Sequence, residues 1–258
     1  MALLGLLTDF GTQDAFAGIM KAVIYSLSPG ATVVDISHGV PPRDVAAGAL
    51  MLESAFPYFP GGSVFAAVID PGVGTSRQAL LMEGGGYFFV APDNGLLTLA
   101  ARRIGTVKLY SVTCGKYFLP AVSSTFHGRD IFAPVAAYLL NGVSPGEFGE
   151  EIREMVTLPF PEVTCGEERL EGEIVAIDRF GNLISNIRVE HLKGRPLRTV
   201  LFRHQRHEGV ACSYEEGGGK PWSALFNSSG ALELFVYGAS ASEALCAGRG
   251  EAVTAELA

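Results

Sequence analysis

Ser63-Val64-Phe65-Ala66-Ala67-Val68-Ile69-Asp70-Pro71-Gly72-Val73-Gly74 decides the fold. Seven successive apolar or small residues end in an aspartate and a proline-glycine turn, the pattern of a strand buried on both faces whose carboxyl end opens into a loop. Working outward, Leu3–Asp9 (LLGLLTD) and Ala31–Ser37 (ATVVDIS) repeat that pattern. Helix-like periods over residues 17–28 and 45–59 separate the three strands. Strand, helix, strand, helix, strand is the signature of a mostly parallel sheet covered on both sides. ALLMEG and GYFFVAP across Gly84-Gly85-Gly86, a helix over 96–103, the strand TVKLYSV and a helix over 130–141 extend the layer. Asp130 stands near the start of that last helix as a candidate cap.

Beyond Leu158-Pro159-Phe160-Pro161 the helical periods fade. GEIVAID, NLISNIRV, RTVLFRH, VACSY, ALFN, ALELFVYG and AVTAEL read as about seven short strands, a small all-β barrel or sandwich. The expected organisation is an α/β domain over 1–160 and a barrel-like domain over 166–258, with the boundary near residue 165.

Of the 258 residues 48% are hydrophobic and 18% charged, enough to bury a core. Lys+Arg 19 against Asp+Glu 27 leaves a net charge of −8, which argues against a nucleic-acid surface and for a small ligand. Cys114, Cys165, Cys212 and Cys246 form no paired motif and read as reduced thiols. Met1–Leu7 meets Asp9 at once, without the basic start or cleavage site of a leader, and no apolar run approaches the ~20 residues of a membrane span. The expectation is a cytoplasmic protein with no membrane partner.

Carboxylates close all three leading strands, at Asp9, Asp35 and Asp70. In open parallel sheets such ends line the ligand crevice, so Asp9 and Asp70 are expected to share a cleft, although each could equally start a turn or cap a helix. Asp35 reads as the most purely structural. Arg77 follows Asp70 by seven residues, and the dinucleotide fingerprint G-x-G-x-x-G is absent. In Ser123-Ser124-Thr125-Phe126-His127-Gly128-Arg129-Asp130, His127 is a candidate general base and Arg129 a solvated or paired side chain. No G-x-S-x-G elbow supports a serine nucleophile. His204-x-x-His207 has ligand-like spacing but reads as a solvated basic strand edge. Asp178–Asn182 reads as a hairpin turn, as does Asn227–Gly230, and Tyr214 and Trp222 could offer an aromatic face to a planar ligand.

Several longer stretches resemble one family: LTDFGTQDAFAG, VVDISHGVPPRDVAAGA, VIDPGVGTSR, VAPDNGLL, STFHGRDIFAPVAA, AIDRFGNLISNI and NSSGALEL, from residue 7 to about 240. The chain is similar to the S-adenosyl-L-methionine hydroxide adenosyltransferases, also called S-adenosylmethionine hydrolases, which are related to fluorinases and chlorinases. The resemblance implies an α/β domain and a β-barrel, with a homotrimer that binds S-adenosylmethionine between subunits. It implies attack of activated water at the ribose C5′, giving adenosine and L-methionine, with neither metal nor cofactor. It carries the water-activating roles to Asp70, Arg77 and His127, and ribose binding to Asp9. Nucleoside contacts fall on Asn182, Tyr214, Ser228, Glu233 and the Val236 backbone, and Asp14 and Asp178 lie near the methionine end. A halogenase is the rival enzyme. The halogenases replace the aspartate of DPGVG and the histidine of TFHGRD, carry an extra loop in the first domain, and have an arginine where this chain has Ser229. A non-catalytic nucleoside-binding protein is the rival from another class.

Overall fold

The computed structural model describes residues 2–258, in two compact units divided between Leu158 and Pro159. In the first, β1 (Leu4–Thr8), α1 (Phe16–Leu27), β2 (Val33–Ser37), α2 (Val45–Ala55) and β3 (Val64–Val68) follow in order. The hairpin β4 (Ala79–Gly84) and β5 (Tyr87–Pro92), then α3 (Thr98–Ile104), β6 (Val107–Ser111), α4 (Ala133–Leu140) and the short β7 (Glu151–Ile152) complete it.

The strands form one sheet in the order β2-β1-β3-β5-β4-β6-β7. The first four run parallel, and β4 and β7 enter antiparallel. β1 and β3 are buried along their whole length, as near-continuous apolar strands require. Leu4, Leu6, Val64, Ala66 and Val68 join the core that holds Met20 and Ile24 of α1 and much of α4. On the other side Phe65 stacks on Phe89, with centroids 4.9 Å apart, and Phe56 meets both edge-on. The chain leaves β1 for β2 on one side and then crosses back to β3 on the other. The switch in direction therefore falls between the carboxyl ends of β1 and β3, where such sheets open a crevice.

Two helices differ from their expected form. α2 stops at Ala55, with a tight turn over Phe56–Tyr58, because Pro57 has no N–H to continue the ladder. Its start is capped by Asp44, which accepts from the Ala47 amide at 2.9 Å. The helix expected from Asp130 begins as a π-helical turn, Gly128–Phe132. Asp130 is not its cap. The side chain is fully buried, accepts from the Ser123 amide at 2.8 Å and pairs with Arg129 at 2.6 Å, so it ties down the preceding loop.

The second unit contains β8 (Thr164–Cys165), β9 (Arg169–Ile177), β10 (Leu183–Arg188), β11 (Leu197–Phe202), β12 (Gln205–Glu208), β13 (Ser223–Phe226), β14 (Ala231–Phe235) and β15 (Ala252–Leu257). They form an antiparallel, barrel-like sheet in the order β12-β11-β15-β9-β10-β14-β13, with β8 added beside β9. Side chains bring its two ends together. His207 Nδ1 lies 3.2 Å from the Gly209 carbonyl, which can only accept, so Nε2 accepts from the Ser223 hydroxyl at 3.1 Å. The Trp222 indole donates to Gln205 Oε1 at 2.5 Å.

That closure corrects two expectations. His207 is not part of a solvated edge but a buried strut, its pKa pushed below the histidine value chiefly by burial. Trp222 is only 4% exposed and offers no face to a ligand. Nor is VACSY a strand. Ala211 N reaches Ala224 O at 2.8 Å, but Glu216 takes the next amide, that of Cys212, at 2.8 Å and turns the chain away from the sheet. No helix among the described residues is long and apolar enough to cross a membrane.

Candidate active site

Asp70 follows β3 directly, and the loop after it doubles back so that Arg77 faces its carboxylate. Arg77 Nε donates to both Asp70 oxygens, at 2.9 and 3.1 Å, and Nη2 also pairs with Oδ2. Neither side chain is more than one-tenth exposed. A planar guanidinium held against a carboxylate this way is fixed in orientation as well as charge. Phe132 forms the floor, its ring centroid 5.2 Å from the guanidinium carbon.

His127 approaches from the loop before α4, fifty residues away in sequence, and Nδ1 lies 2.7 Å from Arg77 Nη2. Burial and then the Arg77 charge hold its pKa below the usual histidine value, against the opposing pull of Asp70 and Asp130. The two loops interlock at Gly74. Its φ is +77°, and a Cβ there would run into the Ser124 carbonyl oxygen.

Asp9 follows β1, adjacent to β3, and its Oδ2 accepts from the Arg43 amide at 2.7 Å. Asp14 is exposed between β1 and α1. Asp35 does not close its strand as expected: it lies in the middle of β2, with Lys21 Nζ at 2.6 Å. Phe10, Phe16 and Phe126 form an aromatic cluster beside these turns, with centroids 5.2 to 5.8 Å apart. Sequence reasoning missed Phe132 and the Phe10–Phe16–Phe126 cluster as parts of the setting, since an aromatic in an apolar run looks the same whether it packs in the core or under a cation. Ser123 serves the loop, bonding Thr125.

In the second unit, Asp178 accepts from the Phe180 and Asn182 amides at 2.8 and 2.9 Å and from Asn182 Nδ2 at 3.0 Å. These two site candidates are thus engaged with each other in the hairpin turn. A separate network gathers two more residues around Glu233, which is only 2% exposed. Tyr214 donates to Glu233 Oε1 at 2.8 Å and Asn227 to Oε2 at 3.0 Å. Burial, then Glu233, pushes the Tyr214 pKa up to about 12, so the phenol keeps its proton. The residue is 46% exposed, and its ring stands edge-on against Phe235. Ser228 is exposed on the neighbouring turn, and the Val236 carbonyl accepts from Ala239 N at 3.2 Å.

The first unit thus presents an acid, a permanent cation and an imidazole at a strand-order switch, beside a further carboxylate, and the second a buried polar network with a partly exposed aromatic residue. An α/β fold carrying that set with no phosphate cradle defines an enzyme of small-molecule group transfer or hydrolysis rather than a dinucleotide binder. Residues 4–149 match the SAM hydroxide adenosyltransferase N-terminal domain and 172–254 its C-terminal domain, and the chain belongs to this family. It is 35% identical to a protein of Methanocaldococcus jannaschii named (R)-S-adenosyl-L-methionine hydrolase, over 94% of this chain and 91% of that one. A protein of Thermus thermophilus with the same name is 37% identical over 93% of both. Fluorinases are more distant, that of Actinoplanes sp. being 30% identical over 72% of this chain and 71% of its own. The crystal structure of an uncharacterized conserved protein from Thermotoga maritima superposes with a TM-score of 0.91 at 33% identity, covering 98% of this chain and 99% of that one.

Proposed function

We propose that this protein hydrolyses S-adenosyl-L-methionine to adenosine and L-methionine, with Asp70, Arg77 and His127 acting on the water. The observation that carries the reading is the Asp70–Arg77–His127 constellation beside the β1/β3 switch, joined at hydrogen-bond distance.

Attack at the ribose C5′ forms a C–O bond and breaks the C–S bond, whose electron pair leaves on sulfur as a neutral thioether. The leaving group therefore needs no general acid, and the difficulty lies with the nucleophile. Free water has a pKa of 15.7, and lowering it by about 6 units amounts to roughly 8 kcal/mol. Arg77 supplies fixed N–H donors and positive charge, which favour the hydroxide-like oxygen. Arg77 cannot accept a hydrogen bond, so His127 Nδ1 does, and the neutral ring carries its proton on Nε2. His127 then acts as a donor that orients the nucleophile, and Asp70 is the base of the set. Carboxylate Oδ1 and Oδ2 have capacity beyond their Arg77 bonds, so Asp70 can take the water's proton and return it to solvent.

In this reading Asp9 grips the ribose diol and Asp14 lies toward the methionine end. In the second unit Tyr214, Ser228, Glu233, Asn182 and the Val236 backbone serve the nucleoside, with Asp178 holding Asn182. The family resemblance adds a homotrimer with sites shared between copies, and a cytoplasmic setting without metal or cofactor. Fluorinase kinship favours one rival, halide attack at the same carbon. Incubation with S-adenosylmethionine with and without chloride or fluoride, followed by chromatography, tests both: adenosine and methionine are expected regardless of halide. Accumulation of a halogenated nucleoside, or binding without turnover, overturns the hydrolase reading. Sedimentation of the purified protein tests the trimer.

A further inference from the structure

His38 is buried, has no role in the chemistry above, and holds Thr8, just before Asp9, and Gly11, two residues after it. Its Nδ1 lies 2.8 Å from the hydroxyl of Thr8, the fully buried last residue of β1. Thr8 Oγ1 in turn accepts from the Phe10 amide at 3.3 Å. The His38 carbonyl accepts directly from the Gly11 amide at 2.7 Å, where the turn needs a positive φ of 69°. The peptide groups just after Asp9 are therefore tied to one residue of the loop following β2. The same loop donates the Arg43 amide to Asp9 itself.

On the far side of the ring Asp35 Oδ1 lies 3.1 Å from Nε2, within ion-pair distance but without the alignment of a hydrogen bond, while Lys21 holds the other oxygen at 2.6 Å. Although burial works against it, these two partners keep the Asp35 carboxyl below the usual carboxylate range. A ring proton on Nε2 faces that carboxylate, and in that tautomer Nδ1 accepts from the Thr8 hydroxyl. Thr8 thereby keeps its lone pairs for the Phe10 amide.

We infer that His38 is a positioning residue for the substrate-binding turn: through Thr8 and its own carbonyl it fixes the backbone that aims the Asp9 carboxylate. The inference rests on the hydrolase reading only for what Asp9 grips. A group acting this way contributes to ground-state and transition-state binding alike, so its loss shows in KM and product affinity rather than in kcat.

The test compares wild type with Thr8→Val, Thr8→Ser, His38→Ala and His38→Asn, reading kcat and KM for S-adenosylmethionine, adenosine affinity by calorimetry, and amide exchange of Phe10 and Gly11 by NMR. Thr8→Val and His38→Ala are expected to raise KM and weaken adenosine binding about tenfold, the scale of one lost hydrogen bond, with kcat within about threefold. Thr8→Ser, and His38→Asn with its acceptor oxygen, are expected to restore most of the loss. Amide exchange at Phe10 is expected to quicken in Thr8→Val. Unchanged KM, adenosine affinity and amide exchange in folded Thr8→Val overturn the inference, as does a fall in kcat at constant KM. If wild type neither turns over S-adenosylmethionine nor binds adenosine, the hydrolase reading fails, and the exchange data still decide whether the clamp exists.

Discussion

Arg77 Nη2 lies 2.7 Å from His127 Nδ1, so a guanidinium that never gives up its proton in proteins donates to a ring nitrogen that must be accepting. The other ring nitrogen then carries hydrogen, and the imidazole meets the substrate water as a donor. His127→Gln, which keeps an N–H donor near the Nε2 position, is therefore expected to stay within about tenfold of wild-type kcat, whereas His127→Ala loses roughly 10²-fold or more. Steady-state kinetics on both variants checks this. Equal losses in the two would make His127 the base instead.

The same contact sets the acid limb of the pH profile. Burial and the Arg77 charge lower the His127 pKa, so the working neutral form persists to lower pH than a free histidine allows. Protonation at Nδ1 would break the Arg77 bond, so activity is full above the folded-state pKa and falls as pH drops through it. The limb for kcat is expected to have its midpoint below the ordinary value of about 6.5. In Arg77→Gln the limb should move upward, alongside a lower maximum rate.

Gly74→Ala tests the interlock of the two catalytic loops. An alanine there needs an unfavourable positive φ and meets the Ser124 carbonyl, so the loops must part. A cost of roughly 1–3 kcal/mol is expected in thermal unfolding, and a fall in kcat of more than about tenfold, because Arg77 and His127 sit on opposite sides of that contact.

Asp9→Ala is expected to raise KM and weaken adenosine binding, with a smaller change in kcat, because the ribose diol is the same in ground and transition states. Calorimetry with adenosine and initial rates measure the two effects separately. A fall confined to kcat would place Asp9 at the reacting carbon.

Excess EDTA is expected to leave the rate unchanged. The chemistry derived above uses only an acid, a cation and an imidazole, and no group of three His, Cys, Asp or Glu among the described residues could hold a metal. Loss of activity restored by a divalent ion would refute the water-activation scheme.

The sequence by itself determined the order of the first five elements, the barrel-like character of the second unit, and the placement of Asp9 and Asp70 at strand ends, whereas Asp35, expected at a third, lies inside β2. Those features follow from periods of two and 3.6 residues and from turn chemistry, which are local and need no partner. The Asp178–Asn182 turn was legible for the same reason. Only the tertiary structure decided that Arg77 meets His127 across fifty residues, that Asp130 is a buried tie rather than a cap, and that His207 and Ser223 join the two ends of the barrel. It also decided that VACSY leaves the sheet, because one glutamate competes for one amide. Pairings of this kind depend on which loops the strand order brings together, and a hydrogen-bonding side chain in a sequence carries no mark of the partner it will find.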